Sequence, residues 1–170
     1  VPGTVGSLFP CALFIIIAAF TRQLWQSQLA VAGLTVFFAW GTIAFSKYAI
    51  ELAGREDPSE VVSDEVAGQG LALLIGSFLP AFSAYPLVSI GILFVLFRFF
   101  DITKISPANR LERLPGGQGI LLDDIMAGLY AGIVFAAASL FGWVQPVGEL
   151  LNPYLLPICS YLSGLCGSIG

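Results

Sequence analysis

The chain contains no histidine, so every mechanism that needs an imidazole base, nucleophile or metal ligand is excluded. Cysteine is scarce and odd in number. Cys11, Cys159 and Cys166 lie in or beside apolar runs and read as buried thiols, because a disulfide framework or metal site needs paired spacing. No cysteine is followed by arginine six positions later, and no Asp-x-Asp pair occurs, which excludes a cysteine-phosphatase loop and an aspartyl nucleophile with its adjacent acid. Charge is the third scarcity. Charged residues make up 11% and apolar residues 57% of the 170 positions, with a mean hydropathy of +0.90. Soluble globules carry about 25% charged residues, so the chain reads as an integral membrane protein of one domain, residues 1–170. It begins with Val rather than Met, and a missing N-terminal segment is expected.

What charge there is falls in two blocks. All but Arg22 and Glu149 lie in Lys47–Glu65 or Arg98–Asp124. Between and around them run apolar stretches at Leu8–Phe20, Leu29–Ser46, Val66–Phe97, Ile125–Val144 and Leu150–Cys166. A spanning helix needs about 20 apolar residues. Leu29–Ser46 and Ile120–Val144 meet that length; Leu8–Phe20 is short, as for a tilted or partly protein-buried span. Val66–Phe97 is too long for one span, and Pro80 with Ser83-Ala84-Tyr85-Pro86 breaks it into a hairpin. The expected architecture is an all-α polytopic membrane bundle of four to five spanning helices. The tail, residues 146–170, carries Pro146, Pro153 and Pro157, and its placement stays open.

Counting crossings puts Pro2–Ser7 and both charged blocks on one side. Lys47, Arg55, Arg98, Lys104, Arg110 and Arg113 share that side against Arg22 alone, which the positive-inside rule makes cytoplasmic.

The stretch Asp57–Gly68 reads as a helix start, with Asp57 as N-cap, Pro58 in the first turn and Glu60 closing a capping box. On that reading the helix runs on to Pro80, and Asp64 and Glu65 lie too far inside it to serve free N–H groups. In the second block Arg98, Asp101 and Lys104 recur every three residues and share one broad helical face. Snorkelling cations with a companion acid would give the same pattern. The glycines of Pro115–Gly119 make a turn able to offer N–H groups to an anion. Asp123 and Asp124 follow near the start of the next helix. Gly68 and Gly128 each follow an aspartate, Asp64 and Asp124, by four residues, where small side chains permit close helix contact.

Five carboxylates on one edge, Asp64, Glu65, Asp101, Asp123 and Asp124, thus lack a structural excuse. A hard cation would relieve their repulsion, and all-oxygen ligation suits magnesium. Arg98 and Lys104 beside them would accept an anion. Carboxylates, magnesium and a basic clamp are the components of phosphoryl transfer. The competing reading is a small transporter or ion pathway, which places its ionisable groups near the bilayer midplane; here they gather at one edge.

Four blocks, Pro2–Ser7, Asp57–Gly68, Phe97–Lys104 and Gly116–Gly128, together resemble the phosphatidylglycerophosphatase A family. The last, Gly-Gly-x-Gly-Ile-x-x-Asp-Asp-x-x-Ala-Gly, is the most specific. The sequence departs from the family pattern at Ile105-Ser106, which intervene before Pro107. The resemblance implies a magnesium-dependent enzyme of the bacterial inner membrane, active on its cytoplasmic side, that hydrolyses phosphatidylglycerophosphate to phosphatidylglycerol and phosphate. It implies Asp64, Glu65, Asp101, Asp123 and Asp124 as active-site residues, with Asp64, Asp101, Asp123 and Asp124 as metal ligands. Arg98, Lys104, Thr4, Ser7, Gly117 and Gly119 are the candidates for binding the substrate phosphate. With histidine, cysteine and aspartyl nucleophiles excluded, metal-activated water is the expected attacking group. The lipid is the expected partner, with no nucleic acid and no obligate protein partner.

Overall fold

A computed structural model describes residues 2–21, 23–53, 62–106, 108–111 and 117–161. Among these there are helices and turns but no strand. The long helices are α1 (Pro2–Thr21), α2 (Leu24–Ala53), α3 (Ser63–Ser77), α5 (Pro86–Thr103), α7 (Gly117–Leu140) and α8 (Val144–Tyr161), with short α4 (Pro80–Ala84) and α6 (Ala108–Leu111) between them. Four are long and apolar enough to cross a membrane: α1, α2, α5 and α7. The first exceeds its expected length, because Pro2–Ser7 joins Leu8–Phe20 in one helix. The expected hairpin within Val66–Phe97 is formed by α3, α4 and α5, with Pro80 and Pro86 each in the first turn of a new helix.

The central helix is α3, which packs against α1, α2, α5 and α7. Every residue from Val66 to Gly70 is buried. Its contact with α2 is a seam of small polar residues: Thr42 and Ser63 share a hydroxyl hydrogen bond of 2.7 Å, and Gln28 donates to the Ser77 hydroxyl at 3.2 Å. Between these pairs, a Cβ on Gly70 would run into the Thr35 hydroxyl. Each step of seven residues along α2 matches a step of seven backwards along α3. The two helices are therefore antiparallel with the heptad register of left-handed packing.

The contact between α3 and α7 is parallel and much closer. A Cβ on Gly68 would lie 2.5 Å from the Asp124 carbonyl oxygen, and one on Gly128 would collide with the carbonyl of Gly68. The glycines expected to permit close contact do so against each other, and the backbones meet where any side chain would part them.

Two local expectations are corrected. A helix from Pro58 through to Pro80 is not formed: α3 starts at Ser63, after a non-helical Val62 with φ −123 and ψ 5. Asp64 and Glu65 consequently stand in its first turn, where acids complement the helix dipole. The proposed caps Asp57, Pro58 and Glu60 lie outside the described residues. Secondly, α5 ends at Thr103, and Lys104 adopts the left-handed conformation, φ 45 and ψ 53, while its N–H donates to the Phe100 carbonyl at 2.9 Å. Lys104 is thus a helix terminator, not a third step along one face.

Candidate active site

One end of the bundle collects the polar side chains. Arg98, near the end of α5, is the hub. Its Nη1 forms an ion pair with Asp101 Oδ2 at 2.7 Å and donates hydrogen bonds to Glu65 Oε1 at 3.2 Å and to the Ser7 hydroxyl at 3.2 Å. Ser7 is fully buried and donates in turn to the Gly3 carbonyl at 3.0 Å. One guanidinium therefore ties α1, α3 and α5 together, in the partly buried setting where losing one charge of a pair strands the other. Glu65 reaches Arg98 by lying across the backbone of α1. A Cβ on Gly3 would collide with its carboxylate, and one on Gly6 would lie 3.0 Å from Oε2. A side chain at position 3 would displace that carboxylate, and one at position 6 would crowd it.

The second half of the cluster stands on α7. Asp123 and Asp124 are buried, in the second turn rather than at the first, which carries no acid. Asp123 accepts from Lys104 Nζ at 2.9 Å. The left-handed turn at Lys104 does not remove it from the site, because its long side chain returns across α7. Asp124 sits at the Gly68–Gly128 crossing and is within electrostatic reach of Asp64, Asp101, Glu65 and Asp123. The five carboxylates are thus one electrostatic group, facing the two cations Arg98 and Lys104. Glu65 Oε2 and Asp124 Oδ2 are buried without a hydrogen-bond partner, a costly state for carboxylate oxygens.

In kind, this donor set fits a hard divalent ion: it is all-oxygen, crowded, and has orphaned oxygens on two helices. Among the described residues, however, no three acids are close enough together to form a closed metal cage; Arg98 pairs with both Glu65 and Asp101, and Lys104 pairs with Asp123. The other candidates fall differently. Thr4 is exposed on α1, and no contact joins it to Arg98. Gly117 and Gly119 open α7, one to two turns before Asp123, and Gly119 is buried. The remainder of the glycine turn, through Gly116, lies outside the described residues.

Three contributors escaped the sequence reading. Gly3 and Gly6, three apart on α1, seat Glu65; their spacing was visible, but the neighbour that needed it was not. Gln69 is fully buried one turn beyond Glu65, and neither polar atom of its amide has a hydrogen-bond partner. An amide inside an apolar run is the signal that marks it.

The family model described as phosphatidylglycerophosphatase A matches residues 1–139. A protein of Bacteroides thetaiotaomicron named putative phosphatidylinositol-3-phosphatase is 34% identical over 146 residues, covering 84% of each chain. Proteins named phosphatidylglycerophosphatase A from Haemophilus influenzae and Escherichia coli are 31% and 32% identical, covering 80% and 79% of this chain and 77% and 73% of their own. No solved structure matches the chain. With its match extending from α1 to the end of α7 and taking in all five carboxylates, the chain belongs to the phosphatidylglycerophosphatase A family of membrane phosphatases.

Proposed function

We propose that the protein hydrolyses phosphatidylglycerophosphate to phosphatidylglycerol and inorganic phosphate, with its site facing the cytoplasm of a bacterial inner membrane. The observation that carries this reading is the gathering of Asp64, Glu65, Asp101, Asp123 and Asp124 around Arg98 and Lys104 at one end of a membrane bundle of this family. The orientation rests on the cation asymmetry, with Arg22 alone on the opposite side.

In this reading Arg98 and Lys104 exchange part of their pairing with carboxylates for the phosphate oxygens of the substrate. The planar guanidinium can hold two oxygens at once, and the ammonium acts as a point charge. Asp64, Asp101, Asp123 and Asp124 would hold magnesium, which when bound supplies Lewis acidity toward the phosphoryl group and lowers the pKa of water. Glu65, with one oxygen unpartnered, takes the proton of the attacking water. As the water oxygen bonds to phosphorus, the ester P–O bond breaks, and the leaving glycerol oxygen takes up the proton that Glu65 accepted from the water.

The 34% identity to the Bacteroides protein supports a second reading, removal of the 3-phosphate of a phosphoinositide. Phosphate release from phosphatidylglycerophosphate and from phosphatidylinositol 3-phosphate, in mixed micelles with magnesium or with a chelator, decides between them. The expected result is magnesium-dependent release from the glycerol lipid, and a loss of at least about 10²-fold in Asp124→Asn, the scale of losing one essential electrostatic group. Preferential turnover of the inositol lipid would favour the second reading. Full activity in chelator would remove the metal.

A further inference from the structure

On the outer side of the α5–α7 contact lies an open groove of about 220 Å³, lined by Phe100, Ile105, Ser106, Tyr130, Ile133 and Val134. The turn at Lys104 builds it. A non-glycine residue in the left-handed conformation costs about 1 kcal/mol or more, and here it sends Ile105 and Ser106 back along the bundle. The Tyr130 hydroxyl fastens that return by donating to the Ser106 carbonyl at 3.1 Å. The Phe100 ring packs against Tyr130 with centroids 5.5 Å apart and forms the floor. Ile105, Ile133 and Val134 remain 45%, 54% and 40% exposed, so the walls are apolar and open to the surroundings of the bundle.

The groove lies further along α7 on the side that carries Asp123. Asp123, Tyr130 and Val134 are spaced by seven and four residues, so they form one stripe along α7. At 1.5 Å per residue, Tyr130 and Val134 lie roughly 10 and 17 Å from Asp123, towards the middle of a spanning helix. Lys104, which pairs with Asp123, directly precedes Ile105 of the groove wall. A charged pair near the start of α7 and an apolar groove one to three turns further along the same helix match the two halves of a phosphorylated diacyl lipid.

We propose that this groove docks an acyl chain of the lipid substrate and thereby aligns its phosphate with Lys104 and Asp123. The assignment rests on the phosphatase reading above. It is distinct from general contact with bilayer lipid, which covers the convex faces of α1 and α2 as well and requires no phosphate.

Two measurements test it. In mixed micelles, Val134→Trp fills the groove and is expected to lower kcat/KM for long-chain phosphatidylglycerophosphate about tenfold relative to kcat/KM for its deacylated, water-soluble counterpart. An unchanged ratio overturns the proposal. The second measurement needs no bulky variant and no turnover. A phosphatidylglycerophosphate analogue with a diazirine in one acyl chain is expected to label Ile105, Ile133 or Val134 in the wild-type protein. Unlabelled phosphatidylglycerophosphate should suppress that labelling, and phosphatidylcholine should not. Equal suppression by both lipids, or labelling elsewhere only, overturns the groove as a substrate site. If the wild-type protein releases phosphate from neither compound, the phosphatase reading falls, and the labelling pattern still decides the groove.

Discussion

Arg98 and Lys104 are both cations at the membrane edge, yet they are held in different ways. Arg98 joins three helices through Ser7, Glu65 and Asp101; Lys104 meets the carboxylate of Asp123 from a left-handed turn. Simple snorkelling would make either residue exchangeable for the other. The geometry instead makes Arg98→Lys the damaging change, with turnover expected to fall about 10²-fold. Lys104→Arg keeps a charge at Asp123 and is expected mainly to raise KM. Steady-state kinetics in mixed micelles separate the two, and equal mild effects would remove Arg98 from the chemistry. At this scale the sequence was legible in residue type and poor in contact. Asp64, Glu65, Asp101, Asp123 and Asp124 stood out as acids beside apolar runs, and the fold brings them to one end. That Glu65 needs Gly3 and Gly6, and that Arg98 needs Ser7, depends on how α1 lies over α3. A single sequence holds no record of that packing.

The helices themselves were easier to read than their ends. Apolar length located α2, α5 and α7, and the prolines located the break between α3 and α5. The capping signals at Asp57–Glu60 lie outside the described residues, and Ser63, bonded to Thr42, stands where α3 begins after the non-helical Val62. That Gly68 and Gly128 permit close helix contact was legible from their spacing, whereas their meeting each other was not. The contact also gives a sharp test. Gly128→Ala forces a methyl into the Gly68 carbonyl and is expected to cost about 1–3 kcal/mol, as overpacking does. It should also carry Asp124 away from Asp64. Thermal unfolding in detergent should show a lowered Tm together with reduced phosphate release. Gly33→Ala, on a part of α2 where a methyl meets nothing within 4 Å, should leave Tm unchanged or raise it slightly.

Among the described residues, the clustered charges Asp64, Glu65, Arg98, Asp101, Lys104, Asp123 and Asp124 lie at one end of the bundle, and the proline-marked break between α3 and α5 lies at the other. Gln118 and Gln145 are exposed near opposite ends of α7, so single cysteines there, in a background without Cys11, Cys159 and Cys166, report orientation. An impermeant thiol reagent applied to intact cells is expected to label Gln145→Cys and to spare Gln118→Cys. The reverse pattern would place the site on the other side of the membrane. The central helix adds a feature that no count of spans would suggest. Fifteen residues of α3 reach about 22 Å, while the hydrocarbon layer is about 30 Å thick. Its acidic start therefore cannot stand clear of the surface while its far end reaches the opposite one. The four helices packed around it, α1, α2, α5 and α7, are the ones long and apolar enough to cross, so the short helix is sheathed in protein, and its polar first turn meets α1 and α5 before it meets lipid.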